Sequence, residues 1–526
     1  MTKKSIPVDL RSDHWKLVCS ILREHVPDRD VLAFGSRAKW TAREYSDLDL
    51  VIKGNTPLPL NIKSELSYAF TESNLPFKVD VVDWATSSPS FREIISRDSV
   101  VAQAAQENTP PDGWQKVKLG NIADITMGQS PKSEFYNTDK EGLPFLQGSA
   151  EFGSMHPTHK KYSSDWNKES QQGDILMSVR APVGDINIAN MKYAIGRGLA
   201  SIKGKNENTQ YIFYLLKSAS SFINDYASGT VFTAINKDTL KDISFLVPPL
   251  PEQHIIAYIL GTLDDKIELN QKMNQTLEAT GKAIFKSWFV DFDPVHAKVA
   301  LSNKKQKRNS ATIWTVERAR TYLDSLDPKI VALFPDSFVD SEIGKIPKGW
   351  QVSSVKSKCQ RLKVEKPYSN KTTTNMGNIP VLDQTEDGII GFHSEEKYIP
   401  ASLKKPVITF ANHTCNMRLL FNDFSVIQNV IPILPVDHPI GWFYFRTLEI
   451  QKPEEYKGHI LDFMDKILCF PEVRLANEFE SIVEPILHRI YYANEESKVL
   501  LGIRDTLLPK LVSGTIRVHN VRANLR

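Results

Sequence analysis

The chain is poor in cysteine. Its four cysteines in 526 residues, Cys19, Cys359, Cys415 and Cys469, stand far apart and form no CxxC pair. That argues against a disulfide frame or a thiolate zinc site, and predicts reduced thiols in a cytoplasmic protein. Long apolar runs are missing too. No stretch of 18 apolar residues offers a membrane span. The opening MTKKSIPVDLRSDHW has no apolar core, so no secretion signal is expected. A strong charge of either sign is also absent. The net charge of +3 allows nucleic acid as a partner without demanding it. Between residues 114 and 247 there is no Ser/His/Asp cluster, no metal-ligand spacing and no P-loop. What remains is a soluble composition over a length that predicts about three or four domains.

What is present is periodicity. Within 251–290, Ile256, Leu260, Leu263, Ile267, Asn270, Asn274, Leu277, Gly281, Ile284 and Trp288 follow one another at alternating steps of four and three. Such a 3.5-residue repeat predicts a long helix zipped along its length against another. Asn270 and Asn274 fall on the seam, where polar residues weaken the pairing but fix its register.

The first hundred residues carry the chemistry. Asp13–His25 reads as a helix, and Val31–Phe34 as a short buried strand followed by a Gly35-Ser36 turn. Arg37 onward can start a helix, which would aim backbone N–H groups of the turn at an anion. Ser46–Ile52 reads as a second strand. Its period of two puts Asp47 and Asp49 on one face and Leu48 and Leu50 on the other. Paired carboxylates are costly unless a divalent cation neutralises them. A third strand, Phe77–Val82, carries Asp80. The bland reading is a solvated strand face. The spacing, however, resembles the nucleotidyltransferase superfamily of DNA polymerase β, in its minimal, antitoxin-like members. The resemblance implies that Gly35 and Ser36 hold nucleotide phosphate and that Asp47, Asp49 and Asp80 are the catalytic, metal-holding acids. It implies Mg²⁺ and a nucleoside triphosphate as cofactors for this domain. Ser90–Ile95 also looks like the family's tail.

After the Pro/Gly linker 106–113, residues 114–247 read as short strands and turns with one helix, Thr209–Asp225. Basic and aromatic residues interleave there, among them Lys160, Lys161, Tyr162, Arg180, Arg197, Phe232 and Lys237. That mixture suits phosphate and base contacts, although any single member could be mere surface. The basic stretch 301–310 reads as a solvated loop.

The chain then repeats itself. Pro111-Asp112-Gly113-Trp114-Gln115 recurs as Pro347-Lys348-Gly349-Trp350-Gln351. From Pro471 a second long helix shows the same rhythm at Val483, Leu487, Ile490, Asn494, Leu501 and Leu508. A repeat of this length means domain duplication. The order module, rod, module, rod resembles the specificity subunit of type I restriction-modification enzymes over about 111–518. Its most telling phrases are GDILMSVRAPVGDI (173–186), VPPLPEQHIIAYILGTLDDKIELNQKMN (247–274) and IRDTLLPKLVSGTI (503–516).

The expected fold is therefore α+β and multidomain. It comprises a nucleotidyltransferase fold over 1–105, a linker over 106–113 and a first target recognition domain over 114–250. A long helix covers 251–292 and a second linker 293–346. A second recognition domain follows over 347–470, then a long helix over 471–518. The two helices are expected to pair as an antiparallel coiled coil. The resemblance implies binding of a bipartite site on double-stranded DNA and docking of methyltransferase and restriction/translocase subunits. It implies no catalysis and no cofactor for this portion. Candidate DNA contacts are Arg180, Arg197, Lys237, Asn412 and Arg418. His413 beside Cys415 has no ligand partners nearby in sequence and reads as a structural or DNA-contacting histidine. A competing reading makes the first domain an enzyme that transfers a nucleotidyl group to a toxin or other protein, with the rest as a DNA-binding arm. A third makes 1–105 purely structural.

Overall fold

A computed structural model describes residues 6–43, 45–54, 57–104, 110–227, 234–302, 314–385, 388–454 and 457–518. Contacts divide the chain into two compact units, 1–122 with 236–250, and 123–235 with 251–526. Among the described residues no helix is long and apolar enough to cross a membrane.

The first unit opens with α1 (Ser12–His25), β1 (Val31–Phe34), α2 (Gly35–Ala38), β2 (Leu48–Ile52), α3 (Leu60–Thr71), β3 (Val79–Asp83), α4 (Pro89–Asp98) and β4 (Val100–Gln103). The strands form one sheet in the order β3-β2-β1-β4. β2 and β3 run parallel, while β1 is antiparallel to both of its neighbours. Alternation decides what each face does. Val31, Ala33, Leu48, Leu50 and Ile52 are buried together with Val18 and Leu22 of α1 and Leu66 and Phe70 of α3. The opposite face carries Leu32, Phe34 and Val51 together with Asp49 of β2 and, one residue before the strand, the exposed Asp47.

The duplication read from the Gly-Trp-Gln repeat has a structural counterpart. Gln115–Lys118 pairs antiparallel with Ser244–Val247, and Gln351–Ser354 pairs antiparallel with Ile467–Phe470. Each returning strand is followed by a 40-residue helix, Leu250–Phe289 or Val473–Val512. These are called here the first and second rods. The material between the paired strands differs in the two halves. The first half carries a four-stranded sheet (Ile186–Ile188, Ile175–Ser178, Leu199–Gly204, Ala123–Met127) and a five-stranded one. The second carries a four-stranded sheet (Cys359–Arg361, Val430–Pro435, Val407–Ala411, Met417–Leu420) and a three-stranded one (Ile389–His393, Ile379–Leu382, Ser425–Val426).

The ten seam positions of the first rod are all buried or half-buried. Its polar contacts to the second rod and to Arg517 just beyond it run in opposite order along the two segments. Glu252 meets Arg517 at 2.9 Å and Asp264 meets Arg504 at 2.7 Å. Asn270 Nδ2 donates to Glu496 at 2.9 Å, and Asn274 Nδ2 to Asn494 at 2.7 Å. The rods are therefore antiparallel where they touch. Asn270 is fully buried, and its amide also reaches the Ala493 carbonyl and the Ser497 hydroxyl. Near its C-terminus the first rod enters an aromatic core, where Phe285 lies 5.4 Å from Phe479 and Phe289 lies 5.6 Å from Trp442. Gly281 is required there, because a Cβ would stand 2.7 Å from the Phe445 ring.

Two expectations change. The helix expected over Thr209–Asp225 is two, Thr209–Ser218 and Ser220–Asn224, divided at Ala219 within a serine-rich run of weak helix formers. The stretch 293–346, read as a linker, contains the helices Asp293–Ser302, Val316–Asp324 and Pro328–Leu333 and a two-stranded hairpin. It is ordered by burial, since Val295 and Phe334 belong to the same core as Phe285 and Trp350.

Candidate functional sites

The acidic face of the first unit is built around Gly35. β1 ends at Phe34, which lies opposite Asp49 in the sheet, and the chain turns into α2 through Gly35 at φ +76°. A Cβ on Gly35 would lie 2.2 Å from Asp49 Oδ2. The carboxylate rests directly on the glycine backbone, so any side chain at position 35 would displace it. Ser36 is half-buried in the four-residue α2, and its carbonyl accepts from Thr41 N at 3.0 Å. Asp49 and Asp80 are direct neighbours across the parallel β2–β3 pair. Burial first, then the charges of Asp80 and Asp47, push the Asp49 carboxyl above its ordinary value, with Lys78 pulling the other way. The Lys78 ammonium sits 2.6 Å from Asp80 Oδ1.

Sequence reasoning assigned Gly35, Ser36, Asp47, Asp49 and Asp80 to one site; the structure sets Gly35 against Asp49 and Asp49 across from Asp80, with Asp47 one residue before β2 and Ser36 following Gly35. Sequence reasoning missed Arg37. This buried guanidinium donates to the Ser46 carbonyl at 2.8 Å and the Asp9 carbonyl at 2.9 Å, and stacks 4.1 Å above the Phe77 ring. It thereby anchors the residue before Asp47. The available signal was an arginine directly after the Gly-Ser turn. Asp83, also on β3, is buried and accepts from the backbone N–H of Leu58 and Ala85. It holds the fold rather than the acidic face. The donor chemistry fits a hard divalent cation: three carboxylates, mutually repelling, offset by Lys78 at Asp80 and by the charge of Arg37 acting on Asp47. Among the described residues, however, no three acidic, histidine or cysteine groups converge closely enough to form a coordination shell.

The proposed DNA contacts do not form one cluster. Arg180 is exposed, bridging through its backbone to Ala234. Arg197 is exposed at the Gly196-Arg197-Gly198 turn, where a Cβ on Gly198 would meet the Gln147 carbonyl at 2.5 Å. Lys237 is exposed at the start of the helix Lys237–Asp242 in the first unit. The other two are held internally. Asn412 Oδ1 accepts from Ile460 N at 2.9 Å. Arg418 donates to the Asp383 carbonyl at 2.9 Å and to the Thr385 carbonyl, bracing the loop that leads to Gly388. His413 donates from Nδ1 to the Lys457 carbonyl at 2.9 Å, while Cys415 is buried. Phe232 and the basic residues 303–310 lie outside the described residues.

Comparison with known proteins matches residues 18–107 to the polymerase β nucleotidyltransferase family and residues 111–279 to the type I restriction modification DNA specificity domain. A Haemophilus influenzae chain named as a probable protein adenylyltransferase, MntA, is 47% identical over 100 residues, covering 19% of this chain and 88% of that one. A Methanocaldococcus jannaschii chain named as a type I restriction enzyme MjaX specificity subunit is 46% identical over 178 residues, covering 33% of this chain and 42% of that one. The MjaIX specificity subunit of the same organism is 24% identical over 438 residues, covering 78% of this chain and 95% of that one.

Proposed function

We propose, for a chain that belongs to the type I restriction-modification specificity subunits and carries an N-terminal polymerase β-type nucleotidyltransferase domain, that it reads a bipartite site on double-stranded DNA. The two recognition domains, 114–250 and 347–470, each read one half. The rods pair as an antiparallel coiled coil that spaces the halves and docks methyltransferase and restriction/translocase subunits. The observation that carries this reading is the duplicated strand pair, each copy leading into a 40-residue helix. Exposed Arg180, Arg197 and Lys237 are the residues available to phosphates and base edges, whereas Asn412 and Arg418 shape the loops that present such contacts. The purified complex should protect two DNA segments about one helical turn apart. Adding one heptad after Thr276, with its counterpart in the second rod, should separate them by about 10 Å more without changing either sequence. Uniform, salt-sensitive binding without a footprint would sink the reading.

The N-terminal domain is proposed to transfer a nucleotidyl group, such as AMP onto a protein hydroxyl; the MntA relative is named as a probable protein adenylyltransferase. Mg²⁺ bound at Asp47, Asp49 and Asp80 would supply charge to polarise the α-phosphate. The chain's own part is positional. Gly35 lets the Asp49 carboxylate lie against the backbone, and Arg37 holds the segment that carries Asp47. A cation held there would offset the burial and like-charge repulsion that push the Asp49 carboxyl up. Labelled ATP with Mg²⁺, supplied with and without partner subunits or a cognate toxin, should yield labelled protein. Truncation of residues 1–105 should leave DNA specificity intact.

A further inference from the structure

The two recognition halves differ in sequence, yet one backbone arrangement recurs in both. In the first, Leu143–Leu146 runs parallel to Tyr193–Ile195, with Leu146 opposite Ile195. In the second, Ile379–Leu382 runs parallel to Ser425–Val426, with Leu382 opposite Val426. From each of these pairs the chain turns into a six-residue strand, Leu199–Gly204 or Val430–Pro435. In the first half the Gly196 N–H donates to the Leu146 carbonyl at 2.8 Å and the Leu199 N–H to the Gly196 carbonyl at 3.0 Å. The Val179 N–H donates to the Gly198 carbonyl at 2.8 Å, and the Ile235 N–H to the Val179 carbonyl at 3.0 Å. The second half repeats all four bonds in the same order. The Ile427 N–H donates to the Leu382 carbonyl and the Val430 N–H to the Ile427 carbonyl, both at 3.1 Å. The Asn412 N–H donates to the Asn429 carbonyl and the His459 N–H to the Asn412 carbonyl, both at 2.8 Å. The turn 196–198 therefore corresponds to 427–429, and Arg197 corresponds to Gln428.

Both residues are exposed at the centre of a turn whose two ends are pinned by backbone bonds. Arg197 is fixed further, because its N–H donates to the Ser130 hydroxyl at 3.2 Å. Among the described residues, neither the Arg197 guanidinium nor the Gln428 amide has a hydrogen-bond or ion-pair partner. The neighbouring equivalent pair behaves otherwise. Arg180 follows Val179 and His413 follows Asn412, but His413 Nδ1 is committed to the Lys457 carbonyl at 2.9 Å. In a duplicated fold, the bonds that repeat hold the framework. A rigidly presented, unpaired polar side chain that changes from one half to the other is what lets the halves read differently. The two head groups differ in kind. A guanidinium offers parallel donors, which match the O6 and N7 acceptors of guanine. A glutamine amide offers one donor and one acceptor, which match N7 and N6 of adenine.

We infer that Arg197 and Gln428 are corresponding base-reading residues of the two halves, Arg197 for a guanine and Gln428 for an adenine. The inference rests on the DNA-specificity reading and names two side chains that set the specificity.

The test is selection of duplexes from a randomised DNA library by the purified complex, followed by sequencing of the bound fraction. Wild type should enrich a two-part motif with a guanine in one part and an adenine in the other. Arg197→Ala should lose about tenfold or more of the discrimination at one G·C pair and leave the other part unchanged. Gln428→Ala should do the same at one A·T pair of the other part. Arg197→Gln should turn the preference at its pair from guanine to adenine, a gain that a misfolded variant cannot show. Unchanged preference in either alanine variant, or relaxation of the same part by both, would overturn the inference. So would uniform weakening across sequences with a salt slope smaller by about one, the mark of a phosphate contact. In those three cases the two-part motif, and with it the DNA-specificity reading, still stands. A wild-type complex that enriches no motif would overturn both.

Discussion

Asp264 and Asp49 are both drawn out of water, and they are answered differently. Asp264, on the first rod, is 5% exposed. Arg504 donates to one of its oxygens at 2.7 Å and the Tyr214 hydroxyl to the other at 2.8 Å. Its charge is settled inside the protein. Asp49, in the N-terminal sheet, has two more carboxylates facing it, and Lys78 is engaged with Asp80. Its environment disfavours the charge it must carry at neutral pH. A carboxylate compensated by its own fold is structural, whereas one left among like charges is, under the nucleotidyl-transfer reading proposed above, placed to take a cation from outside. The same residue type thus does two jobs, and the neighbours decide which.

The comparison breaks most visibly on activity. Asp47→Ala with Asp49→Ala should cut nucleotidyl transfer by on the order of 10³-fold, about 4 kcal/mol of transition-state stabilisation. Protection of the β1–β3 backbone from hydrogen exchange should be unchanged or improved, because like charges have been removed. Gly35→Val should match that loss with every acid still present, since its side chain must displace the Asp49 carboxylate. Equal transfer by wild type and the double variant would remove the catalytic half of the comparison.

The opposite pattern is expected on the rod. Arg504→Met strands the Asp264 charge and should destabilise the second unit by about 3–5 kcal/mol. Asp264→Leu with Arg504→Met should recover most of that, because two well-packed apolar residues replace a buried pair. Urea unfolding followed by hydrogen exchange of peptides from both rods reads the difference. Transfer activity should be untouched in either variant. If Arg504→Met costs no more than a surface pair, about 0–1 kcal/mol, Asp264 is not a buried structural charge.

A smaller effect separates the two carboxylates by ligand. Mg²⁺ should stabilise the N-terminal sheet by about 1.4 kcal/mol at ten times its dissociation constant. The gain should vanish in Asp49→Asn with Asp80→Asn and be absent from the rods. Protection of rod peptides by Mg²⁺ to the same degree would point to a general salt effect.

Much of this contrast was legible before the structure. β1 follows from a four-residue apolar run, and the acidic face from strict alternation through Asp47, Leu48, Asp49 and Leu50. The rods follow from a seam whose ten positions are all at least half-buried. These are properties of local period, which a sequence displays directly. Other features rest on distant partners. Arg37 acts through the carbonyls of Asp9 and Ser46, and Asp83 through the N–H of Leu58. Asn412 and Arg418 look like base readers in sequence but are tied to residues more than 25 positions away. The helices within 293–346 become necessary only once Val295 and Phe334 are seen to complete an aromatic core. Composition around each of these residues carries no trace of its partner.

The smallest expected effect is the pH dependence of Asp49, and its sign is opposite to that of a paired carboxylate. The folded protein raises the Asp49 carboxyl above its ordinary value of 3.8, by burial first and by Asp80 and Asp47 next. The folded state therefore binds the proton more tightly than the unfolded chain does. Its contribution to stability is fully present below the ordinary value and is lost as pH rises through the raised one. Asp49→Asn keeps the shape and removes the titration. The variant should accordingly be more stable than wild type at neutral pH, with the advantage shrinking towards about pH 4 as the wild-type carboxyl takes up its proton. Urea-dependent hydrogen exchange of the peptide carrying β2, corrected for intrinsic rates, measures both. A variant less stable than wild type by the same amount at both pH values would mean that Asp49 is held by favourable contacts, like Asp264, and the distinction between the two carboxylates would fall.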